Sequence, residues 1–360
     1  MAVIMDYLDW RGDLPFSLDS FNEVDGYILA KFGCPDYTGA VPDTPDAISI
    51  GSAVKQYFAL HGEEEGEKLG VLASSEIIPA IRRLVDLPRY REIKAACFVQ
   101  RLDENVSEQF SALSLLLPDG TVYVTFRGTD DTLLGWKENL MMSVRDVIPA
   151  QQDALDYLEK TAAAFSGPLI VGGHSKGGNL AVYASANASP SVKDRIKTIY
   201  NYDGPGFAGD FFSQDGYQSI RSRIRTYLPQ YSIIGMLLPR EEDVIIVSST
   251  RAGAAAHDGF QWEVLGTGFI RCTEFSRSTQ AFETSMQTVL QNMVIDERVA
   301  FIDELFDTLS ATGAKTITDV TEMHVRKALA LGKDIYHKPE VHRFVSSLIE
   351  LMIKDYKSKN

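Results

Sequence analysis

The segment Gly173–Gly177 has the pattern G-x-S-x-G around Ser175 and is the part of the sequence best suited to nucleophilic chemistry. Leu169–Val171 before it reads as a short buried strand, and Asn179–Ala186 after it reads as a helix. Between a strand and a helix, this pattern holds a serine hydroxyl above the sheet in a strained turn, where glycines avoid steric collisions. A glycine-rich connection around an inert serine is the alternative. We interpret Ser175 as a candidate nucleophile.

A serine nucleophile needs a histidine base and an acid that orients this base. In hydrolases with this serine motif, the acid and then the histidine follow the serine along the chain. Four histidines follow Ser175, namely His257, His324, His337 and His342. The last three lie in a helical C-terminal stretch, where exposed or capping roles are expected. His257 lies in a loop of small residues after a predicted strand and is the candidate base, with a solvent-exposed loop histidine as the alternative.

The acid is the least determined member of the set. The candidate carboxylates are Asp203, Asp210, Asp215, Glu241, Glu242 and Asp243. Asp203 directly ends a predicted strand, whereas residues 241–243 precede one and are expected at the opposite edge of the sheet. We predict Asp203 as the acid and keep Glu241, Glu242 or Asp243 as alternatives. A turn role for Asp203 before Gly204-Pro205 is the competing interpretation.

Two backbone N–H groups are candidates for stabilising an oxyanion. One belongs to Lys176, at the start of the helix after Ser175. The other belongs to Thr129, which follows the predicted strand Val122–Phe126, and its hydroxyl is a further possible donor. A cap for a helix that begins at Leu133 is the alternative role of Thr129. A structural ion pair or backbone contact is expected for Arg127.

The order of predicted elements indicates an α/β protein. Residues 1–94 are mostly helical, residues 95–272 are rich in strands, and residues 273–360 are helical again. A turn signal at Pro118–Gly120 predicts an antiparallel hairpin at the start of the sheet. Strands then alternate with helices, which predicts a mainly parallel, doubly wound sheet. Without flexible linkers at 94/95 or 272/273, both helical segments are expected to pack on the core.

Composition narrows the range of partners. The net charge of −14, from 49 acidic and 35 basic residues, disfavours nucleic acid and anionic membranes as partners. The three cysteines are far apart and lack metal-ligand spacing, so buried free thiols in a reducing compartment are expected. With neither a signal peptide nor a transmembrane run, we expect a cytoplasmic location. No cofactor or metal is expected.

Several segments resemble known families. Residues 124–129 and 171–181 resemble the oxyanion strand and nucleophile turn of class 3 (fungal-type) triacylglycerol lipases. Residues 6–14, 21–25, 202–207 and 257–262 are similar to a bacterial lipase-like family of unknown function, the maternal-brain-expressed-gene-like proteins. This resemblance implies an α/β-hydrolase fold and a Ser-His-acid hydrolase. Where class 3 lipases carry their acid, this chain has Ser232–Gly235, so either the acid has moved to Asp203 or catalysis is impaired.

The main hypothesis is a serine hydrolase that cleaves a small-molecule or lipid ester with Ser175, His257 and Asp203. A non-catalytic interaction protein on the same fold is one alternative, supported by the displaced acid. A thioesterase or peptidase is another, because these enzymes share the acyl-transfer machinery. The natural substrate and the oligomeric state do not follow from the sequence.

Overall fold

The computed structural model describes residues 1–62, 74–103, 108–130, 132–292, 294–311, 313–316 and 319. Within these ranges the central element is an eight-stranded sheet, with a separate two-stranded sheet beside it. The strands of the large sheet are β1 (Ile48–Ser49), β2 (Lys94–Asp103), β3 (Glu108–Leu116), β4 (Val122–Phe126), β5 (Leu169–His174), β6 (Ile196–Tyr202), β7 (Ile224–Pro229) and β8 (Val244–Val247). The small sheet pairs β9 (Val264–Leu265) with β10 (Gly268–Phe269).

The strands of the large sheet lie side by side in their chain order. The pairings from β1 to β4 are antiparallel, and those from β4 to β8 are parallel. The predicted hairpin is the β3–β4 pair, which the Pro118–Gly120 turn connects. The α/β class and the α/β-hydrolase type of fold are therefore confirmed.

Helices cover both faces of the sheet. They are α1 (Ile4–Arg11), α2 (Glu23–Phe32), α3 (Ile50–His61), α4 (Ile77–Leu84), α5 (Leu133–Met141), α6 (Pro149–Ala164), α7 (Lys176–Asn187), α8 (Pro190–Lys193), α9 (Asp215–Ile220), α10 (Arg277–Asn292) and α11 (Ile295–Ala311). The crossover helices α6, α7 and α9 share one hydrophobic core with α5 and α11. Helices α1 to α4 form a second core on the opposite face.

This layering differs from the predicted doubly wound sheet, in which crossover helices cover both faces. The strand order explains the difference. When parallel strands are added in one direction, right-handed crossovers place every connecting helix on the same face. The opposite face would then be left bare, and helices α1 to α4, which precede β2 in the chain, cover it instead.

Helix α2 lies across β4, β5 and β6 and is held by a buried ion pair. The Arg89 guanidinium donates to both carboxylate oxygens of Asp25, at 2.8 and 2.6 Å. The hydroxyls of Tyr7 and Tyr90 donate to the same carboxylate. Asn22 caps the helix by accepting from the backbone N–H groups of the first turn. The orientation of α2 is thus fixed, which matters for the side chains it presents to the site.

The C-terminal part agrees with the prediction as far as it is described. Within residues 273–360, which are predicted to be helical, the described helices are α10 and α11, and α11 packs on α5. The prediction for residues after 316 lies outside the described residues, except for Asp319. Between β6 and β7, where the chain is fully described, the only α-helix is the short α9, which short 3₁₀ turns flank. The boundaries at 94/95 and 272/273 stay a prediction.

The three cysteines form no disulfide. Cys97 is buried, but Cys34 and Cys272 are only partly buried, so the expectation of three buried thiols is wrong for these two. Among the described helices, none has both the length and the apolar composition needed to span a bilayer.

Candidate active site

Ser175 lies at the sharp turn between β5 and α7, as the sequence pattern predicts. Its backbone has φ 59° and ψ −133°, a conformation that residues other than glycine rarely adopt. The two glycines of the motif permit the turn, because a Cβ on Gly173 would lie 2.3 Å from the Gly177 carbonyl carbon. A Cβ on Gly177 would lie 2.0 Å from the Phe126 oxygen. The strain at Ser175 is therefore held by close backbone packing on both sides.

His257 and Asp203 are in direct contact. The distance from His257 Nδ1 to Asp203 Oδ2 is 2.7 Å, and Asp203 is fully buried. Because a carboxylate accepts here, Nδ1 carries the proton in the neutral ring and Nε2 is left as a proton acceptor. Asp203 directly follows β6 with φ 49°, and its N–H donates to the Tyr227 carbonyl at 2.8 Å.

The segment Ser232–Gly235, which follows β7, supports this carboxylate. Ser232 Oγ donates to Asp203 Oδ1 at 2.5 Å. A Cβ on Gly235 would lie 2.6 Å from the same oxygen, so only glycine leaves room for the carboxylate. The segment after β7 thus holds a carboxylate that comes from the neighbouring strand, β6.

The alternative acids lie elsewhere. Glu242 is buried and accepts from Thr226 Oγ1 at 3.0 Å, near the beginning of β7. Glu241 and Asp243 are exposed. All three precede β8, whereas Asp203 follows the end of β6.

Ser175 and His257 line one cavity of about 310 Å³. Within the described residues, the Ser175 hydroxyl makes no hydrogen bond to His257. The two residues are close only in the sense that both line the same cavity. Such contacts are commonly long before a substrate binds and tighten in the complex. Helices α2 and α4 contribute Lys31 and Ile77 to the wall, and Thr316 from the segment after α11 contributes as well.

The predicted oxyanion residues lie on either side of Ser175. Lys176 is the first residue of α7, and the first N–H groups of a helix have no intrahelical acceptor. The Gly128 backbone lies so close that a Cβ there would be 3.1 Å from Ser175 Cβ. Thr129 lines the cavity, but its hydroxyl donates to Asn139 Oδ1 at 2.9 Å and is engaged in α5. The helix cap is Thr132 rather than Thr129. As expected, Arg127 forms an ion pair, with Asp130 at 3.5 Å.

The Lys176 side chain points away from the cavity into a buried ion pair. Its Nζ lies 2.7 Å from Glu138 Oε2, and both side chains are almost fully buried. It also donates to the backbone and side-chain oxygens of Gln109. Glu138 belongs to α5, so this pair ties α7 to the helix that follows Gly128 and Thr129.

His174, the residue directly before Ser175, contacts His257, and no sequence pattern indicates this contact. Its ring centroid lies 4.2 Å from that of His257, and its Nε2 donates to the His257 carbonyl at 2.7 Å. Its Nδ1 lies 2.8 Å from the Nζ of Lys31. An ammonium can only donate, so Nδ1 must accept and the proton must sit on Nε2. Burial, the Lys31 charge and the nearby His257 hold the pKa of His174 well below its usual range.

The loop of His257 is fixed from several sides. The Gly259 N–H donates to the Tyr27 hydroxyl at 2.9 Å, and Trp262 Nε1 donates to the Ala256 carbonyl at 2.8 Å. A Cβ on Gly259 would lie 2.4 Å from the Tyr27 ring. The sequence 257–262, which carried part of the family resemblance, thus has a structural explanation: it holds the histidine against α2.

The neutral state of His174 predicts a pH dependence of stability. The pKa of a histidine in the unfolded chain is ~6.5, and the pKa of His174 in the folded protein is lower. The unfolded state therefore binds the proton more readily. The stability that neutral His174 contributes is fully present above about pH 6.5 and is lost as the pH falls below that value. The free energy of unfolding of the wild-type protein should decrease from pH 7 to pH 5. In His174→Asn this decrease should be less steep, by up to about 1.4 kcal/mol per pH unit. Urea unfolding at several pH values measures this, and parallel curves would contradict it.

Comparison with known proteins gives a family and distant structural neighbours. No curated protein matches the chain. Among solved structures, M37 lipase shares 13% identity over 51% of this chain and 69% of the lipase, with a TM-score of 0.34. The Rhizomucor miehei lipase in complex with its propeptide shares 14% identity over 72% of this chain and 90% of the lipase, also with a TM-score of 0.34. A family model described as Mbeg1-like matches residues 84–307. Because this match spans more than half of the sequence, the chain belongs to the Mbeg1-like family.

Proposed function

We propose that this chain is a serine hydrolase that cleaves a carboxylic ester through an acyl-enzyme. One observation carries the proposal. A serine at a strained strand-to-helix turn shares a cavity with a histidine whose other nitrogen is 2.7 Å from a buried aspartate. Nucleophile, base and orienting acid are the parts that acyl transfer needs.

In the acylation step, Ser175 Oγ attacks the ester carbonyl carbon and its proton passes to His257 Nε2. The charge that develops on the carbonyl oxygen is stabilised by the N–H groups of Thr129 and Lys176. When the tetrahedral intermediate collapses, the carbon–oxygen bond to the alcohol breaks. The alcohol leaves with the proton held on Nε2, and the acyl group remains on Ser175.

In the deacylation step, water attacks the acyl-serine and gives its proton to the same nitrogen. Collapse releases the carboxylic acid and returns the proton to Ser175. Asp203 keeps the histidine in the required tautomer and stabilises the imidazolium in both steps. The His174 ring, which lies beside that of His257 at a centroid distance of 4.2 Å and is held neutral, adds no competing positive charge.

The cavity suggests a small ester or one end of a longer one. Its volume of about 310 Å³ is at the lower end of the range usual for small-molecule sites, roughly 300–1,000 Å³. A thioester or an activated amide would use the same groups, so the class of acyl donor is decided by assay.

Labelling with a fluorophosphonate probe tests the proposal directly. We expect the wild-type protein to be labelled at Ser175, as mapped by mass spectrometry of the modified peptide. Ser175→Ala should abolish labelling, and the control Ser222→Ala, at an exposed serine, should leave it unchanged. A folded wild-type protein that is not labelled would favour the non-catalytic alternative, and labelling at another serine would refute the assignment of Ser175.

A further inference from the structure

Lys31 is a buried cation in the wall of the cavity that the proposed mechanism does not use. It lies near the end of α2, is only 6% exposed and lines the same cavity as Ser175 and His257. One of its three N–H groups donates to His174 Nδ1 at 2.8 Å. Among the described residues, no carboxylate oxygen lies within 4.0 Å of its Nζ.

The other charged groups of the cavity have partners of their own. Arg127 lies 3.5 Å from Asp130, which also accepts from Thr132. Asp36 is only partly buried, and its two oxygens accept from the Thr38 N–H and from Gln100 Nε2. Lys31 is therefore a buried cation of the cavity wall without a carboxylate in contact among the described residues, while the opposite charge of the partly buried Asp36 lies elsewhere on the same wall.

A buried charge without a counterion is costly, and proteins seldom retain one away from functional sites. The nearest polar partner, His174, is a neutral ring that accepts one hydrogen bond. Two N–H groups of the ammonium remain for another acceptor, and an anion satisfies both the charge and the hydrogen bonds.

We propose that Lys31 binds an anionic group, a carboxylate or a phosphate, carried by the ester substrate. This inference rests on the proposed function, since it specifies the substrate of the same site. Lys31 contacts His174, which directly precedes Ser175 in the chain and lies against the His257 ring. The charge would thus lie a few bonds from the cleaved ester, on its acyl or its alcohol side.

Matched pairs of esters distinguish an anionic group on the acyl side from one on the alcohol side. Monoethyl succinate, with a carboxylate on the acyl side, is compared with neutral ethyl pentanoate by ethanol release. 2-Acetoxyethyl phosphate, with a phosphate on the alcohol side, is compared with 2-methoxyethyl acetate by acetate release. For at least one pair, we expect kcat/KM of the anionic ester to exceed that of the neutral ester by about tenfold to a hundredfold.

Variants of Lys31 then test the cause of the preference. Lys31→Met should lower the anionic-to-neutral ratio by about tenfold or more, and Lys31→Arg should keep part of it because the charge remains. Lys55→Met removes an exposed lysine of α3 and should leave the ratio unchanged. A Lys31→Met variant that loses activity equally on both members of a pair would show a positioning role through His174 and overturn the proposal.

A binding measurement separates failure of this inference from failure of the proposed function. Calorimetric titration with succinate and with inorganic phosphate needs no turnover. At least one anion should bind the wild-type protein, and about tenfold more weakly after Lys31→Met, with Lys55→Met as control. Binding without hydrolysis or probe labelling would sustain the anion site and refute the hydrolase. Hydrolysis without anion preference, or no anion binding at all, would refute the anion site.

Discussion

We expect Asp203→Asn to lower kcat for ester hydrolysis by about 10⁴-fold while the protein stays folded. The reason lies in the two contacts of the carboxylate. Ser232 donates to Oδ1, so the asparagine carbonyl takes that position and the amide NH₂ faces His257 Nδ1. Nδ1 must then accept, and the proton moves to Nε2, where it blocks transfer from Ser175. Steady-state kinetics on a chromogenic ester measure the loss, and circular dichroism verifies the fold.

Asp243→Asn is the matched control for this prediction. It makes the same chemical change at an exposed carboxylate that precedes β8. We expect its kcat to stay within about twofold of the wild-type value, since surface substitutions usually have small effects. If Asp243→Asn lost activity as severely as Asp203→Asn, or if Asp203→Asn remained active, the assignment of the acid would be wrong.

Glu138→Gln should lower the free energy of unfolding by about 3–5 kcal/mol. Gln109 N–H donates to Oε2 and Ala150 N–H to Oε1, so the one oxygen of a glutamine keeps only one of these contacts, and the negative charge is removed. The Lys176 ammonium then stays buried without a counterion. Urea denaturation measures the change. Asp303→Asn breaks the more exposed pair between Lys137 of α5 and Asp303 of α11 and should cost less than about 1 kcal/mol.

A double variant distinguishes charge burial from a general packing defect. In Glu138→Gln combined with Lys176→Met, neither charge remains and the methionine occupies similar space. Replacing both members of a buried ion pair is often neutral, whereas removing one is costly. We therefore expect the double variant to be more stable than Glu138→Gln alone. A double variant that is less stable than the single one would contradict this account.

The local parts of the site follow from local sequence. The G-x-S-x-G pattern predicts the strand, turn and helix around Ser175 because close backbone packing there admits only glycine at positions 173 and 177. Asp203 is predictable as the residue that ends a strand, and the structure places its carboxylate against His257. The role of Asp203 as the acid stays a prediction, since the contact does not measure catalysis.

Contacts between distant parts of the chain were beyond the sequence patterns. Lys31 meets His174 across 143 positions, and no periodicity indicates which helix covers the back of the sheet. One signal was available. Tyr27 to Phe32 are apolar apart from Lys31, and a lysine within an apolar helical stretch departs from the usual exposure of lysine. The one-sided layering was missed for a related reason, because alternation of strands and helices leaves the order of the strands open.

The coincidence of strand order with chain order has a consequence for synthesis on the ribosome. Each new strand of the large sheet finds its neighbour already made, so the sheet can grow from one edge as the chain emerges. Asp203 emerges before β7, and His257 emerges only after β8. We therefore expect nascent chains halted before residue 257 to gain protease resistance while they do not yet react with the fluorophosphonate probe.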